Sequence, residues 1–248
     1  MPKLIFHEDD GYYSFDFDDS SVIAAFSNKR MNMAFHKSDH RMTPGNREIF
    51  ALSVGFDYRD LVCLEQVHGD RIAEVSSPDK GKGALEAAGA IGLADGAITA
   101  QAGVPVSIRT ADCLPLFFYD QVNRAVGIAH AGHQGALKGI AKKIISLLRD
   151  KYGTKPADIL VGMGPALRVC CYEVTEEFKE YFPGYVEPRN GKLYFDLVKA
   201  NRDQLLSSGV KVPNIIDSGL CTACLNDKFF SWRREKTNNR VLSVIMLK

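Results

Sequence analysis

Leu114-Pro115-Leu116-Phe117-Phe118-Tyr119, then Ala125-Val126-Gly127-Ile128-Ala129, then the stretch from Ala136 to Tyr152 decide how this chain folds. The first two are continuous apolar runs of strand length, the pattern of strands covered on both faces. The third repeats Leu137, Ile140, Ala141, Ile144, Ile145, Leu147 and Leu148 along one helical face and stops at Gly153. Further strand signals are Val22 to Phe26, Arg71 to Val75, the alternation of Val104, Val106 and Ile108, Ile159 to Val161, and Val241 to Leu247. Pro44 to Val54 is predicted to be a helix with Thr43 as N-cap and Gly55 as stop. Another helix is predicted after Asp196, its N-cap, ending near Gly209. Strands and helices mixed in this way predict an α+β fold of mixed α/β layers. Their irregular spacing argues against a strict βαβ repeat. The polar stretch Ser76 to Gly83 reads as an excursion loop rather than a domain boundary.

The 31 basic and 30 acidic residues leave a net charge of +1, which gives no field for steering the chain onto nucleic acid or an anionic membrane. Neither is expected as a partner. No apolar run reaches the length of a membrane helix, and the N-terminal segment turns acidic at Glu8-Asp9-Asp10, too soon for a signal peptide. A cytoplasmic location is expected, in which Cys63, Cys113, Cys170, Cys171, Cys221 and Cys224 stay reduced.

The histidines are His7, His36, His40, His68, His130 and His133. His68 follows the apolar run Leu61 to Leu64. His130 and His133 lie where a buried strand passes through Gly132 into the longest helix, a common place for an active site. Cys113 precedes the Leu114 strand, with Asp112 beside its thiol. The separations among His68, Cys113 and His130 are not those of a local metal motif, so spacing alone favours a buried thiol and two satisfied histidines. Cys221-Thr222-Ala223-Cys224 is a C-x-x-C. It reads as packed thiols, with a redox pair as the alternative; the adjacency of Cys170 and Cys171 suits a tetrahedral four-cysteine site poorly. Gly162-Met163-Gly164-Pro165 is either a tight turn or an anion loop, and Ser231-Trp232-Arg233-Arg234 either an anion site or an exposed strand edge.

Several segments, in order, resemble one family. They are Gln66-Val67-His68-Gly69, Ala94-Asp95-Gly96-Ala97-Ile98-Thr99, Thr110-Ala111-Asp112-Cys113-Leu114-Pro115 and Ala129-His130-Ala131-Gly132. Gly164-Pro165-Ala166, Cys171-Tyr172-Glu173-Val174, Cys221-Thr222 and Phe229-Phe230-Ser231-Trp232-Arg233-Arg234 complete the set. The chain is similar to the YfiH-type family, also called the polyphenol oxidase or laccase-domain family and described as purine nucleoside phosphorylases. The resemblance implies a single domain over residues 1–248, with a layered YfiH-like fold related to cysteine-hydrolase toxin domains. It implies that His68, Cys113 and His130 form a Cys-His-His zinc site, with copper as the alternative metal of the polyphenol oxidase description. It implies phosphorolysis of adenosine, inosine, guanosine and methylthioadenosine, deamination of adenosine, and a monomer or homodimer.

Three protein ligands leave zinc a fourth position for water or substrate, the pattern of a catalytic site. Such a centre suits water attack at purine C6 or placement of phosphate for attack at ribose C1′. A metal-free cysteine hydrolase built on Cys113 and a histidine is the alternative. The family's Trp-Arg after His-Ala-Gly is His133-Gln134 here, and His133 is expected to stay outside the metal's ligand set. The family's Ser-Thr-Arg-Gly-Gly is Ser27-Asn28-Lys29-Arg30-Met31, so Lys29 or Arg30, with Arg47, is expected to bind phosphate. The competing view of Arg47 is a solvated helix terminus. Asn239 replaces a glycine before Arg240, a change expected to touch only a turn.

Overall fold

The computed structural model describes residues 2–7, 11–35 and 42–248; His36 and His40 lie outside them. Two six-stranded mixed sheets stack face to face. The first has the order β1 (Lys3–His7), β2 (Tyr12–Asp16), β3 (Val22–Ser27), β15 (Val241–Leu247), β7 (Val106–Thr110), β4 (Val62–Cys63), antiparallel except for the last pair. The second runs β14 (Ile215–Asp217), β10 (Ile159–Met163), β8 (Leu114–Asp120), β9 (Ala125–Ala131), β6 (Gly96–Thr99), β5 (Ile72–Glu74), with a parallel pair at each edge. A small third sheet is formed by β11 (Glu173–Val174), β13 (Lys192–Phe195) and β12 (Val186–Arg189).

Alternation along the central strands sorts their side chains into layers. On β8, Leu114, Leu116 and Phe118 join the core shared with the helices α3 (Ile140–Tyr152) and α5 (Leu197–Ser207). Phe117 and Tyr119 point the other way, into the core between the sheets. There Phe117 meets Phe15 at 5.2 Å between ring centres and Phe26 at 6.3 Å. On β15, Val241 and Ile245 face that same core, while Leu242 and Val244 face α1 (Met42–Val54) through Phe50. The order is therefore helix, sheet, sheet, helices. Three short helices, α2 (His133–Leu137), α4 (Phe178–Tyr181) and α6 (Trp232–Glu235), lie along the loops.

Several local expectations are met. Gly153, at φ 70°, ends α3, and the Asp196 side chain accepts from the Lys199 N–H to cap α5. Others are corrected. The helix expected from Ala136 to Tyr152 is broken: Gly139, at φ 74°, separates α2 from α3 and leaves Leu137 exposed. Thr43 lies inside α1, where its hydroxyl donates to the Ala34 carbonyl, so it is not the cap. Ser231-Trp232-Arg233-Arg234 is no strand edge; Ser231 caps α6 by accepting from the Arg234 N–H. Gly162 and Met163 end β10, and the Gly164 N–H that follows donates to the Pro115 carbonyl.

Gly162 is needed for close approach of the sheets, since a Cβ there would lie 2.6 Å from the Phe15 ring. Gly162→Ala is expected to destabilise the protein by about 1–3 kcal/mol, as overpacked cores do. Gly45→Ala, on the exposed face of α1 with nothing within 4 Å, is expected to be stabilising by about 0.5–1 kcal/mol. Denaturant titration of both variants checks the pair; equal stabilities would contradict this packing.

Candidate metal centre

Three segments distant in sequence converge at one end of the second sheet. Cys113 enters β8 and His130 sits near the end of β9, where Pro115 pairs with His130 and Leu114 with Ala131. His68 comes from the loop after β4. Gln66 ties that loop to β7: its amide nitrogen donates to the Arg109 carbonyl and its amide oxygen accepts from the Arg109 N–H, both at 2.8 Å. The result places one donor atom each of His68, Cys113 and His130 within 4.8 Å of one another. The two imidazoles meet edge to face, with centres 4.8 Å apart. His130 is buried, Cys113 half-buried and His68 exposed, so the group opens to solvent on one side.

Asp95 organises it. Its carboxylate is fully buried and accepts four hydrogen bonds: from the main-chain N–H groups of Val67 (3.2 Å), His68 (3.0 Å) and Gly69 (2.7 Å), and from His130 Nδ1 (2.7 Å). Successive N–H groups aimed at one carboxylate form an anion nest. His68 itself has φ 59°, which turns the loop around the carboxylate. A carboxylate only accepts, so the His130 proton resides on Nδ1 and Nε2 is left for the Cys113 side. Burial pushes Asp95 up, but its bonds to His130 and these N–H groups hold it below the ordinary carboxylate value.

The same balance governs Cys113. Burial pushes its thiol up, yet His130 and His68 beside it outweigh burial and bring it to about 6. Burial lowers His130, and the Cys113 and Asp95 charges reverse this, raising it to about 9. Between these values the protein groups alone favour a thiolate beside an imidazolium. A thiolate and two imidazoles form a borderline-soft donor set, which fits zinc or copper and not magnesium or calcium.

The surroundings are tight. A Cβ on Gly132 would lie 3.0 Å from Cys113 Sγ and 3.5 Å from the His68 ring. Asp112 adopts φ 85°, and its side chain holds this turn by accepting from Thr222 Oγ1 and the Arg233 N–H, each at 2.6 Å. Arg240, lowered chiefly by burial, lies within electrostatic reach of Cys113 and Asp112. Tyr172 is raised by burial and by the nearby Cys113.

The other expected residues sit elsewhere or are otherwise engaged. Arg47 is buried, and its terminal nitrogens donate to the carbonyls of Gly83, Ala84 and Met33. It is neither a solvated helix terminus nor a free fork for phosphate. Lys29 pairs with Glu235 and donates to the Asn226 carbonyl. Arg30 is exposed. His133 is not part of the converging group; its ring packs 5.5 Å from that of Phe178. Burial, with His68 nearby, lowers its value. Asp95 is the functional residue that sequence reasoning left without a role. Its signal was an acid set among small apolar residues in Leu93-Ala94-Asp95-Gly96-Ala97, where a charge is costly unless it is bonded.

This combination of stacked mixed sheets and a cysteine–histidine centre defines a laccase-domain protein. A family described as multi-copper polyphenol oxidoreductase laccase matches residues 21–248, and the chain belongs to it. Purine nucleoside phosphorylase YlmD of Geobacillus stearothermophilus is 37% identical over 226 residues, covering 87% of this chain and 82% of the relative. Adenosine deaminase RL5, from an unknown prokaryotic organism, is 31% identical over 202 residues, covering 78% of this chain and 77% of the relative. The crystal structure of YlmD from Geobacillus stearothermophilus superposes over 100% of both chains with a TM-score of 0.92 and 33% identity. Among the described residues no helix is long and apolar enough to cross a membrane.

The depressed Cys113 value has a direct consequence. In chelator-treated protein, alkylation of the Cys113 peptide, followed by mass spectrometry, is expected to reach half its maximal rate near pH 6. The thiolate persists above that pH and is lost below it. His130→Ala removes the neighbouring cation and moves the midpoint up towards the ordinary thiol value. A wild-type midpoint at that ordinary value would refute the ion pair.

Proposed function

We propose that this chain is a zinc-dependent purine nucleoside phosphorylase acting on adenosine, inosine, guanosine and methylthioadenosine, with adenosine deamination as a second activity. One observation carries it: a thiolate and two imidazoles converge within 4.8 Å in a chain whose relatives bear these names. The whole chain is taken as one catalytic unit.

Phosphorolysis needs a phosphate oxygen brought to ribose C1′ while the bond to purine N9 breaks. The departing electron pair stays on the purine, which takes up a proton. A zinc ion held by His68, Cys113 and His130 supplies a Lewis acid for an anion or water. The remaining duties fall to the chain's own groups. Asp95 fixes the His130 tautomer and shapes the His68 loop, so both rings are oriented before anything binds. Arg240, on the Cys113 side, offsets the phosphate charge in the place first expected of Lys29, Arg30 and Arg47. His133, near His68, carries the proton to the purine. In the deamination branch water adds at C6, ammonia leaves, and the same imidazole moves the proton.

The Cys113–His130–Asp95 chain favours one second reading, a metal-free hydrolase with Cys113 as nucleophile. The two separate cleanly. The phosphorylase loses activity on chelation and regains it with zinc; the hydrolase ignores the chelator.

Chromatography of adenosine or inosine incubated with purified protein is expected to show free base and ribose 1-phosphate only when phosphate is added. Cys113→Ala should abolish this turnover. His133→Trp should leave metal bound at the centre while slowing turnover or shifting its pH profile. Base release that is identical without phosphate would remove the phosphorylase reading.

A further inference from the structure

The other four described cysteines apart from Cys63 and Cys113 come together as well. Cys170 and Cys171 lie in the turn between β10 and β11, and Cys221 and Cys224 in the turn between β14 and α6. Their four sulfurs lie within 4.8 Å of one another. Cys224 Sγ is 3.6 Å from Cys170 Sγ and 3.4 Å from Cys171 Sγ. These separations exceed the roughly 2.05 Å of a disulfide bond. They approach the S···S edge of about 3.8 Å that four zinc–sulfur bonds of about 2.3 Å set in a tetrahedron.

The backbone supports the same arrangement. The two segments are stitched beside the cluster: Ala166 N–H donates to the Leu220 carbonyl and Thr222 N–H to the Ala166 carbonyl. The adjacency of Cys170 and Cys171 is no obstacle, because the turn that starts at Arg168 brings both sulfurs towards Cys224.

We infer that Cys170, Cys171, Cys221 and Cys224 form a second, closed metal site of four thiolates that takes a zinc-class ion and clips two loops together. Soft sulfur donors select such an ion over magnesium or calcium. Four protein ligands leave no open position, so the site is structural and distinct from the His68–Cys113–His130 centre. The clip reaches that centre indirectly. Thr222, inside the C-x-x-C, donates to Asp112, and Leu167 N–H donates to the Asp112 carbonyl. Both clipped loops therefore hold the turn that presents Cys113.

The test uses metal binding, not activity, so it stands or falls apart from the proposed reaction. Protein is purified under reductant, supplied with zinc, desalted and analysed. Cys113→Ala is expected to retain one zinc per chain. Cys224→Ser, in an exposed turn, should carry one zinc fewer than wild type. Cobalt loaded into the Cys113→Ala protein should give the intense visible bands and the thiolate-to-metal charge transfer of a tetrahedral four-sulfur centre, absent from the Cys113→Ala, Cys224→Ser double variant. A folded Cys113→Ala protein that holds no zinc would overturn the inference. So would equal zinc contents of wild type and Cys224→Ser, or a disulfide from Cys224 to Cys170 or Cys171 in the zinc-supplied, reduced protein.

Discussion

One buried carboxylate ties the candidate centre to the fold. Asp95 has no exposed surface, yet it carries charge, because four donors surround it. Hydrogen bonds to a charged group contribute roughly 1.5–3 kcal/mol each, and removing one partner leaves the others buried and unsatisfied. Asp95 starts from the edge of β6, where its own carbonyl also accepts from the His130 N–H at 2.7 Å. The residue therefore fixes both the main chain and the ring of His130, and it winds the His68 loop around itself. Two of the three converging side chains are thus placed by the same group.

The third is placed by the sheet. Cys113 lies one step before the β8–β9 ladder, across from Gly132, and only the missing side chain of Gly132 leaves room for the sulfur. Gly135 has a matching role: a Cβ there would lie 3.1 Å from the Gly69 carbonyl. The start of α2 can then press against the loop that Asp95 organises. This explains why the chain passes from strand to helix through a glycine-spaced run. The break at Gly139 follows, since α2 is aligned to the centre and α3 to the apolar face of the second sheet.

The buried strands were legible because β8, β9, β10 and β15 are covered on both faces and read as largely apolar runs. The edge strands β4 and β14 are two or three residues long and too short for a period to show, whereas β5 was caught by the partial alternation of Arg71 to Val75. Small residues hid β6, whose Gly96 and Ala97 are chosen for close packing. At the centre, His68, Cys113 and His130 were singled out from their settings and from family resemblance, but their meeting depends on sheet pairing that no local spacing encodes. Arg47 misled for a physical reason. Arginine suits phosphate, and it equally suits a ring of buried carbonyls, which is where this one is spent. The four outer cysteines misled in the opposite direction, because adjacency in sequence says little about where two sulfurs point once the turn has formed.

If Asp95 organises the centre, its charge and not its shape is what counts, and Asp95→Asn isolates that charge. The decisive measurement is the zinc dissociation constant of the His68–Cys113–His130 centre in this variant, read by competition with a chelator in protein whose folding is verified by circular dichroism. The affinity is expected to fall by about 10–100-fold, the usual effect of losing a carboxylate behind a metal-binding histidine. A folded Asp95→Asn protein that binds zinc at this centre as tightly as wild type would contradict the account.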